Sequence, residues 1–352
     1  MELLAQGAPA GLEEGAAERL RAAWRPLADA VGGDPLGNTW ALRRGSGAGR
    51  PALLLAAHLD TIGLVVTRLL PGGFLRFSAI GGVDVRALLA REVRIAGRRE
   101  ISAVVATVPP HLTSPAERRR LPRIEDLALD TGHADAELER LVRPGDRAFL
   151  AAGPAELLDG AVMGPGLDNR AGVACLHEAL LAVAGAELPC DLWVLANVQE
   201  ELGLRGIGPA ARRLRPTAAV VVDTGFARQA GVPDEDARAA GGGPVLAAGP
   251  ALHPAVGALV EAAAVRARIP LQREAIAGPS GTDAWPLAVA AGGIPVGLLS
   301  IPLRSMHTPT ECVQYRDVEA AGRLLAAVAQ RTDRQWAARL SGPLWTDGDG
   351  PW

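Results

Sequence analysis

Two rhythms of apolar and polar residues alternate along the chain, and the change between them divides it. Ala52 to Ala57 is a wholly apolar run of strand length that ends at His58 and Asp60. Such a run predicts a strand buried on both faces that delivers polar groups at its C-terminal end. From Ile62 to about Gly160 the apolar pieces are short and β-like: Ile62 to Leu70, Phe74 to Ile80, Arg91 to Ile95, Ile101 to Thr107 and Arg147 to Ala152. Gly and Pro signals separate them, which predicts a small all-β insert. Inside it, Pro109 to Leu121 is Pro-rich and basic and is followed by acidic, helix-like sequence to Leu141; this stretch is expected on the surface.

After Met163 an α/β alternation resumes. It predicts helices over about Asn169 to Ala184, after Gly206, over Pro254 to Arg268, Asp283 to Ala291 and Arg316 to Arg331, with strands over Leu192 to Val198, Ala218 to Val222 and Val296 to Ile301. The N-terminal stretch Leu12 to Trp24 reads as an amphipathic helix carrying Glu13, Glu14 and Glu18. The fold class expected is therefore α/β: a mostly parallel mixed sheet sandwiched by helices, interrupted by a small β-barrel-like domain. The boundaries expected are 1–62 and 161–352 for the sandwich and 63–160 for the insert.

Composition narrows the partners. With 352 residues and 49% hydrophobic content there is material for a core in each of two units. No apolar run approaches the roughly 20 residues that cross a bilayer, and the acidic N-terminal stretch is unlike a secretion signal, so a cytoplasmic protein without membrane partners is expected. Net charge is −3 and pI about 6.1, which argues against nucleic acid as a partner. All 36 basic residues are Arg; the lack of any Lys excludes Schiff-base chemistry, pyridoxal-phosphate anchoring and a P-loop. Cys175, Cys190 and Cys312 lack the paired spacing of a disulfide framework or thiolate zinc site and read as reduced, buried thiols.

Polar groups recur where strands are expected to end: His58 and Asp60, Glu200 and Glu201, Asp223, and His307. Open α/β sheets place ligand sites at such ends. Taken singly, each has a plainer reading: a satisfied structural imidazole, a solvated acidic loop, a turn-forming Asp. Asp168, in Gly164-Pro165-Gly166-Leu167-Asp168-Asn169, precedes a helix and could be its N-cap or a rigidly held ligand. Together, His58, Asp168, Glu201, Asp223 and His307 supply the carboxylates and imidazoles that hard divalent metals want in hydrolases, with a carboxylate available to bridge two ions. Asp60 can orient the His58 imidazole, and Glu200 remains as an unliganded general base. His111, His133, His177 and His253 have no comparable setting.

The stretches Ala57-His58-Leu59-Asp60-Thr61-Ile62-Gly63, Gly164 to Arg170, Gln199-Glu200-Glu201-Leu202-Gly203, Val222-Asp223 and Met306-His307-Thr308-Pro309-Thr310-Glu311 resemble the M42 peptidase family, which includes glutamyl and deblocking aminopeptidases. Supporting pieces are Ile80 to Asp84, Pro109 to Leu112 and Gly281 to Ala284, and the resemblance spans nearly the whole chain. It implies a two-metal aminopeptidase acting on peptides; the oxygen and imidazole ligands themselves suit zinc, or else cobalt or manganese. It implies that Asp168 bridges the ions, His58 and Asp223 completing one site and Glu201 and His307 the other, with Glu200 as base and a cis bond between Asp168 and Asn169. It further implies that the insert is a dimerisation domain and that dimers assemble into a dodecamer. The competing expectations are a related two-metal amidohydrolase, such as a carboxypeptidase or acyl-amino-acid deacylase, and a catalytically silent peptide-binding scaffold. A glycosidase is disfavoured, since it needs two carboxylates flanking a sugar and no metal pair.

Overall fold

The computed structural model describes residues 1–340, so the last stretch of the 161–352 segment lies outside the described residues. A large mixed sheet has at its centre four parallel strands, in the order Asp191–Asn197, Ala52–His58, Ala218–Phe226 and Val296–Arg304. Along Ala52–His58, Leu53, Leu55 and Ala57 enter one buried cluster and Leu54 and Ala56 another. This is the period-two alternation of a strand whose faces are both covered, and it explains why no polar residue interrupts the run. Removing each of those Leu side chains from water contributes roughly 1.5–3 kcal/mol.

One layer of helices contains Glu14–Trp24, Leu167–Ala182, Pro254–Ala267 and Tyr315–Ala329; the other contains Ile207–Leu214 and Ala284–Ala288. The sheet edges are antiparallel. The hairpin Ala30–Gly33 with Thr39–Arg43 extends one side, and Cys312–Gln314, Ala161–Met163 and Ala155–Glu156 extend the other. Val245–Ala248 and Gln272–Ala275 branch from the end strand Val296–Arg304.

The insert is a closed six-stranded barrel in the order Gly63–Leu70, Phe74–Ile80, Ala128–Asp130, Glu100–Ala106, Glu92–Ala96 and Arg147–Leu150. Its own core includes Leu64, Leu75, Val93, Ile95, Leu127 and Leu129. Three local expectations are corrected. The acidic stretch expected to be helix-like up to Leu141 contains the strand Ala128–Asp130 and is α-helical only over Asp135–Leu141, with a single 3-10 turn over Ile124–Asp126; three strand residues are too few to show a period. The helix expected over Asp283 to Ala291 stops at Ala288, and Ala291 turns back with φ +51°. Ala155–Glu156, expected within the insert, pairs instead in the large sheet. Among the described residues no helix is long and apolar enough to cross a membrane.

Candidate active site

Strand register gathers the site. Asn197 lies opposite His58 in one parallel pair and Val221 opposite Ala56 in the next. His58, the Glu200–Glu201 turn and Asp223 therefore emerge at one level of the sheet, at its C-terminal ends. His307 arrives from the loop after Val296–Arg304 with φ +60°, and Gln199 precedes the Glu pair at φ +59°. Left-handed backbone in non-glycine residues costs roughly 1–2 kcal/mol each, and its concentration here marks turns that neighbouring groups must hold.

Glu311 does much of that holding. Its carboxylate, 2% exposed, accepts from the backbone N–H of His307 at 2.8 Å and from that of Asp168 at 3.0 Å. Asp168 is not an N-cap. Its backbone is non-helical, the following peptide bond is cis, and Gly166 occupies the cap position. Its carboxylate instead divides between two imidazoles, Oδ1 lying 3.4 Å from His58 Nε2 and Oδ2 3.3 Å from His307 Nε2. Asp223 Oδ1 stands 3.6 Å from His58 Nε2, and Glu201 Oε1 3.3 Å from His307 Nε2.

Both imidazole tautomers can be read from their far nitrogens. His58 Nδ1 meets the Asp60 carbonyl at 3.0 Å and His307 Nδ1 the Gly82 carbonyl at 3.1 Å. A carbonyl only accepts, so each Nδ1 donates and each Nε2 faces the carboxylates. Asp60 thus orients His58 through its backbone carbonyl, whereas its carboxylate was expected to do so. That carboxylate lies 3.8 Å from Nδ1 and accepts from the backbone N–H groups of Glu200 at 3.0 Å and Glu201 at 3.1 Å. It fixes the turn bearing both glutamates.

Two triads result, His58 with Asp168 and Asp223, and Glu201 with Asp168 and His307, the atoms of each within 4.8 Å of one another. Ligands about 2.0–2.2 Å from a single tetrahedral ion stand roughly 3.3–3.6 Å apart, the spacing of the N···O pairs here, and the mixture of imidazole and carboxylate suits a divalent cation. The electrostatics agree. Burial, opposed by His58 and reinforced by Asp223, Asp283 and Glu201, pushes the Glu200 carboxyl up to about 9. Burial also raises Asp223. Burial would raise Asp168 too, but His307 and His58 hold it below the usual carboxylate range. Asp168 and Glu201 raise His307 to about 11. So many acids are packed around two imidazoles that the site calls for positive charge.

All seven residues singled out from the sequence, His58, Asp60, Asp168, Glu200, Glu201, Asp223 and His307, therefore converge, while His133 pairs with Glu137 on the insert surface, away from them. The sequence reading assigned no role to Glu311, Asp283 or Glu274. Glu311 and Asp283 stand inside the motif stretches, which is the signal that could have found them. Glu274 has none, since Gln272–Ala275 is a short, polar strand. The triads open into a cavity of about 310 Å³ whose further walls include Phe226, Glu274, Ile276, Ser280, Thr282 and Met306.

Known proteins share both sequence and architecture with this chain. The profile of the M42 glutamyl aminopeptidase family matches residues 37–324. Lysyl aminopeptidase of Pyrococcus furiosus is 33% identical over 312 residues, covering 87% of this chain and 88% of that protein. The structure of the aminopeptidase APDkam598 of the archaeon Desulfurococcus kamchatkensis superposes with a TM-score of 0.90 at 30% identity, covering 98% of this chain and 97% of the other. The TET1 peptidase of Pyrococcus horikoshii, which can assemble into a tetrahedron or a large octahedral shell, gives a TM-score of 0.82 at 29% identity, covering 93% and 97%. With sheet, barrel and strand-end cluster all in place, the chain belongs to the M42 glutamyl aminopeptidase family and is an aminopeptidase, a hydrolase of peptide bonds.

Proposed function

We propose that this chain removes N-terminal residues from peptides with two divalent metal ions and Glu200 as general base. The observation that supports this reading above all is the sharing of the Asp168 carboxylate between His58 and His307. His58 and Asp223 would complete one ion's shell, Glu201 and His307 the other's. The ions, zinc first and cobalt or manganese as the alternatives, would polarise the scissile carbonyl and bring the pKa of a water down towards about 7. Glu200, 3.9 Å from His58 Nε2, accepts the proton of the attacking water and passes it to the leaving amine. Its high proton affinity without metal falls once cations stand beside it, so the base is ionised when needed. Asp60 keeps that base in position through the turn it clamps.

The division of labour we propose is a catalytic sandwich formed by 1–62 and 155–352 and an assembly insert whose barrel strands run from Gly63 to Leu150. A homo-oligomer built from dimers, up to a dodecamer, is supported by the closed assemblies of the Pyrococcus horikoshii TET1 peptidase. The cytoplasm as its compartment is supported by three cysteines that are all free and buried.

The test is a panel of peptides with free and acetylated N-termini, incubated with metal-reconstituted protein and read by mass spectrometry. Stepwise loss from free N-termini alone is expected, and Glu200→Gln should lower kcat by about 10²–10⁴ while metal content stays unchanged. Cleavage confined to blocked or C-terminal groups would assign the chain a different specificity, that of a related amidohydrolase. Turnover that survives exhaustive chelation would remove the metals from the reaction.

A further inference from the structure

We propose that Glu274, with Asp236 at the rim, makes the side-chain pocket of this aminopeptidase selective for peptides whose N-terminal residue is cationic, arginine or lysine. The inference rests on the proposed function, because it concerns the substrate side chain at that same site.

The pocket's position follows from strand register. Asp223 and Ser300 are partners on adjacent parallel strands, about 4.8 Å apart and on the same face of the sheet. Ser300 Oγ donates to Glu274 Oε1 at 3.0 Å. The Glu274 carboxylate therefore stands one strand and one hydrogen bond beyond the triads, within reach of a long side chain whose backbone lies at His58, Asp168 and Asp223. All of these groups line the one cavity of about 310 Å³, and Asp236 lies on its wall as well.

Charge and shape then select the side chain. The triad carboxylates have imidazoles beside them, whereas among the described residues neither Glu274 nor Asp236 forms an ion pair. Arg238 is the cation whose charge reaches Glu274, but its guanidinium is directed elsewhere: Nε donates to the Arg273 carbonyl and Nη1 to those of Glu235 and Ala237. Arg273 itself pairs with Glu261. A half-buried carboxylate in an otherwise unbalanced pocket gains by meeting a cation. Phe226, Ile276 and Met306 line the same cavity as Glu274, apolar walls that suit the methylene stem of arginine or lysine while its head meets the carboxylate. An N-terminal glutamate would bring like charge against Glu274, so the glutamyl preference in the family's description does not carry over to this chain.

The experiment uses the full-length, metal-reconstituted enzyme with dipeptides Xaa-Ala in which Xaa is arginine, citrulline, lysine, norleucine, leucine or glutamate. Citrulline and norleucine keep the shape of the cationic residues and remove the charge. Arginine should exceed citrulline at least about tenfold in kcat/KM, glutamate should be slowest, and free arginine should inhibit leucyl-alanine hydrolysis more strongly than free citrulline. Glu274→Gln keeps the bond to Ser300 and should bring the arginine-to-citrulline ratio in kcat/KM down towards one, mainly through a higher KM for arginine. Asp236→Asn, at an exposed position where folding is not at stake, should reduce the advantage in part. Equal rates for arginine and citrulline, a preference for glutamate, or an arginine advantage that survives in Glu274→Gln would overturn the assignment. Hydrolysis of leucyl-alanine without that advantage defeats the pocket alone, whereas no hydrolysis of any free N-terminus defeats the reading on which it rests.

Discussion

Asp283 stands behind the site with Oδ2 accepting from Asn197 Nδ2 at 2.5 Å and Oδ1 buried without a hydrogen-bond partner. Burial pushes it up to about 7; His58 and the Asn197 bond oppose the rise, and Asp223 and Asp60 add to it. An acid whose folded value lies above its ordinary 3.8 binds more protons folded than unfolded across that interval. Its contribution to the stability of the metal-free protein is therefore complete below about pH 4 and is lost as pH rises through about 7. Asp283→Asn should flatten that decline by up to about 1.4 kcal/mol per pH unit, read from urea unfolding of chelated protein at pH 5, 6, 7 and 8. Parallel slopes for the two proteins would show that Asp283 does not titrate there. At this scale His58, Glu201, Asp223 and His307 were legible because each comes after an apolar run, and Asp168 because it stands in a Gly-rich stretch before a helix. The roles of Glu311 and Glu274 were not, because Glu311 acts on the backbone N–H groups of His307 and Asp168 and Glu274 on a serine two strands away.

Among the elements, the helix Leu167–Ala182 sets how closely the site can be drawn together. Gly172 allows it to approach the strand Ala52–His58: a Cβ at this position would lie 3.0 Å from the Ala57 Cβ and 2.2 Å from Asn169 Oδ1. That same Oδ1 accepts from the Gly172 N–H at 3.0 Å, while Asn169 Nδ2 donates to the Val222 carbonyl at 2.8 Å, next to Asp223. Asn169 thus ties the residue after Asp168 to the residue before Asp223. Gly172→Ala gains about 1 kcal/mol of helix propensity, but it overpacks the contact at a cost of roughly 1–3 kcal/mol and displaces Asn169. We expect weaker retention of metal on dialysis and a smaller rise in Tm on adding metal than in the wild type. Wild-type values in both measurements would mean that the helix tolerates a wider separation. Elements with a two-sided apolar run or a long helical period could be read from sequence, as Ala52–His58 and Pro254–Ala267 were. The hairpin Ala30–Gly33 with Thr39–Arg43 and the pair Val245–Ala248 with Gln272–Ala275 could not, since each strand is short and its pairing is decided by a sheet that forms elsewhere in the chain.

For the molecule as a whole, the barrel and the sandwich have separate hydrophobic cores, and the barrel is entered and left by neighbouring strands, Leu64 pairing with Ala148. Excising the barrel to test its role in assembly therefore looks simple, but it would mislead. The Gly82 carbonyl that orients His307 lies in the loop after Phe74–Ile80, so excision would damage the site and confound assembly with activity. Surface substitution separates the two. Val108, Leu112 and Leu121 are 52%, 70% and 63% exposed on the insert, and we propose this stretch as the surface on which subunits meet. Replacing Leu112 and Leu121 with Glu would place charge in a desolvated contact without touching either core or the Gly82 carbonyl. Light scattering should then show smaller particles, while turnover of a dipeptide, too small to depend on the enclosure, stays within about threefold of wild type. An unchanged particle mass would move the interface away from this surface of the insert. A lost dipeptide activity with intact fold would show instead that assembly completes the site.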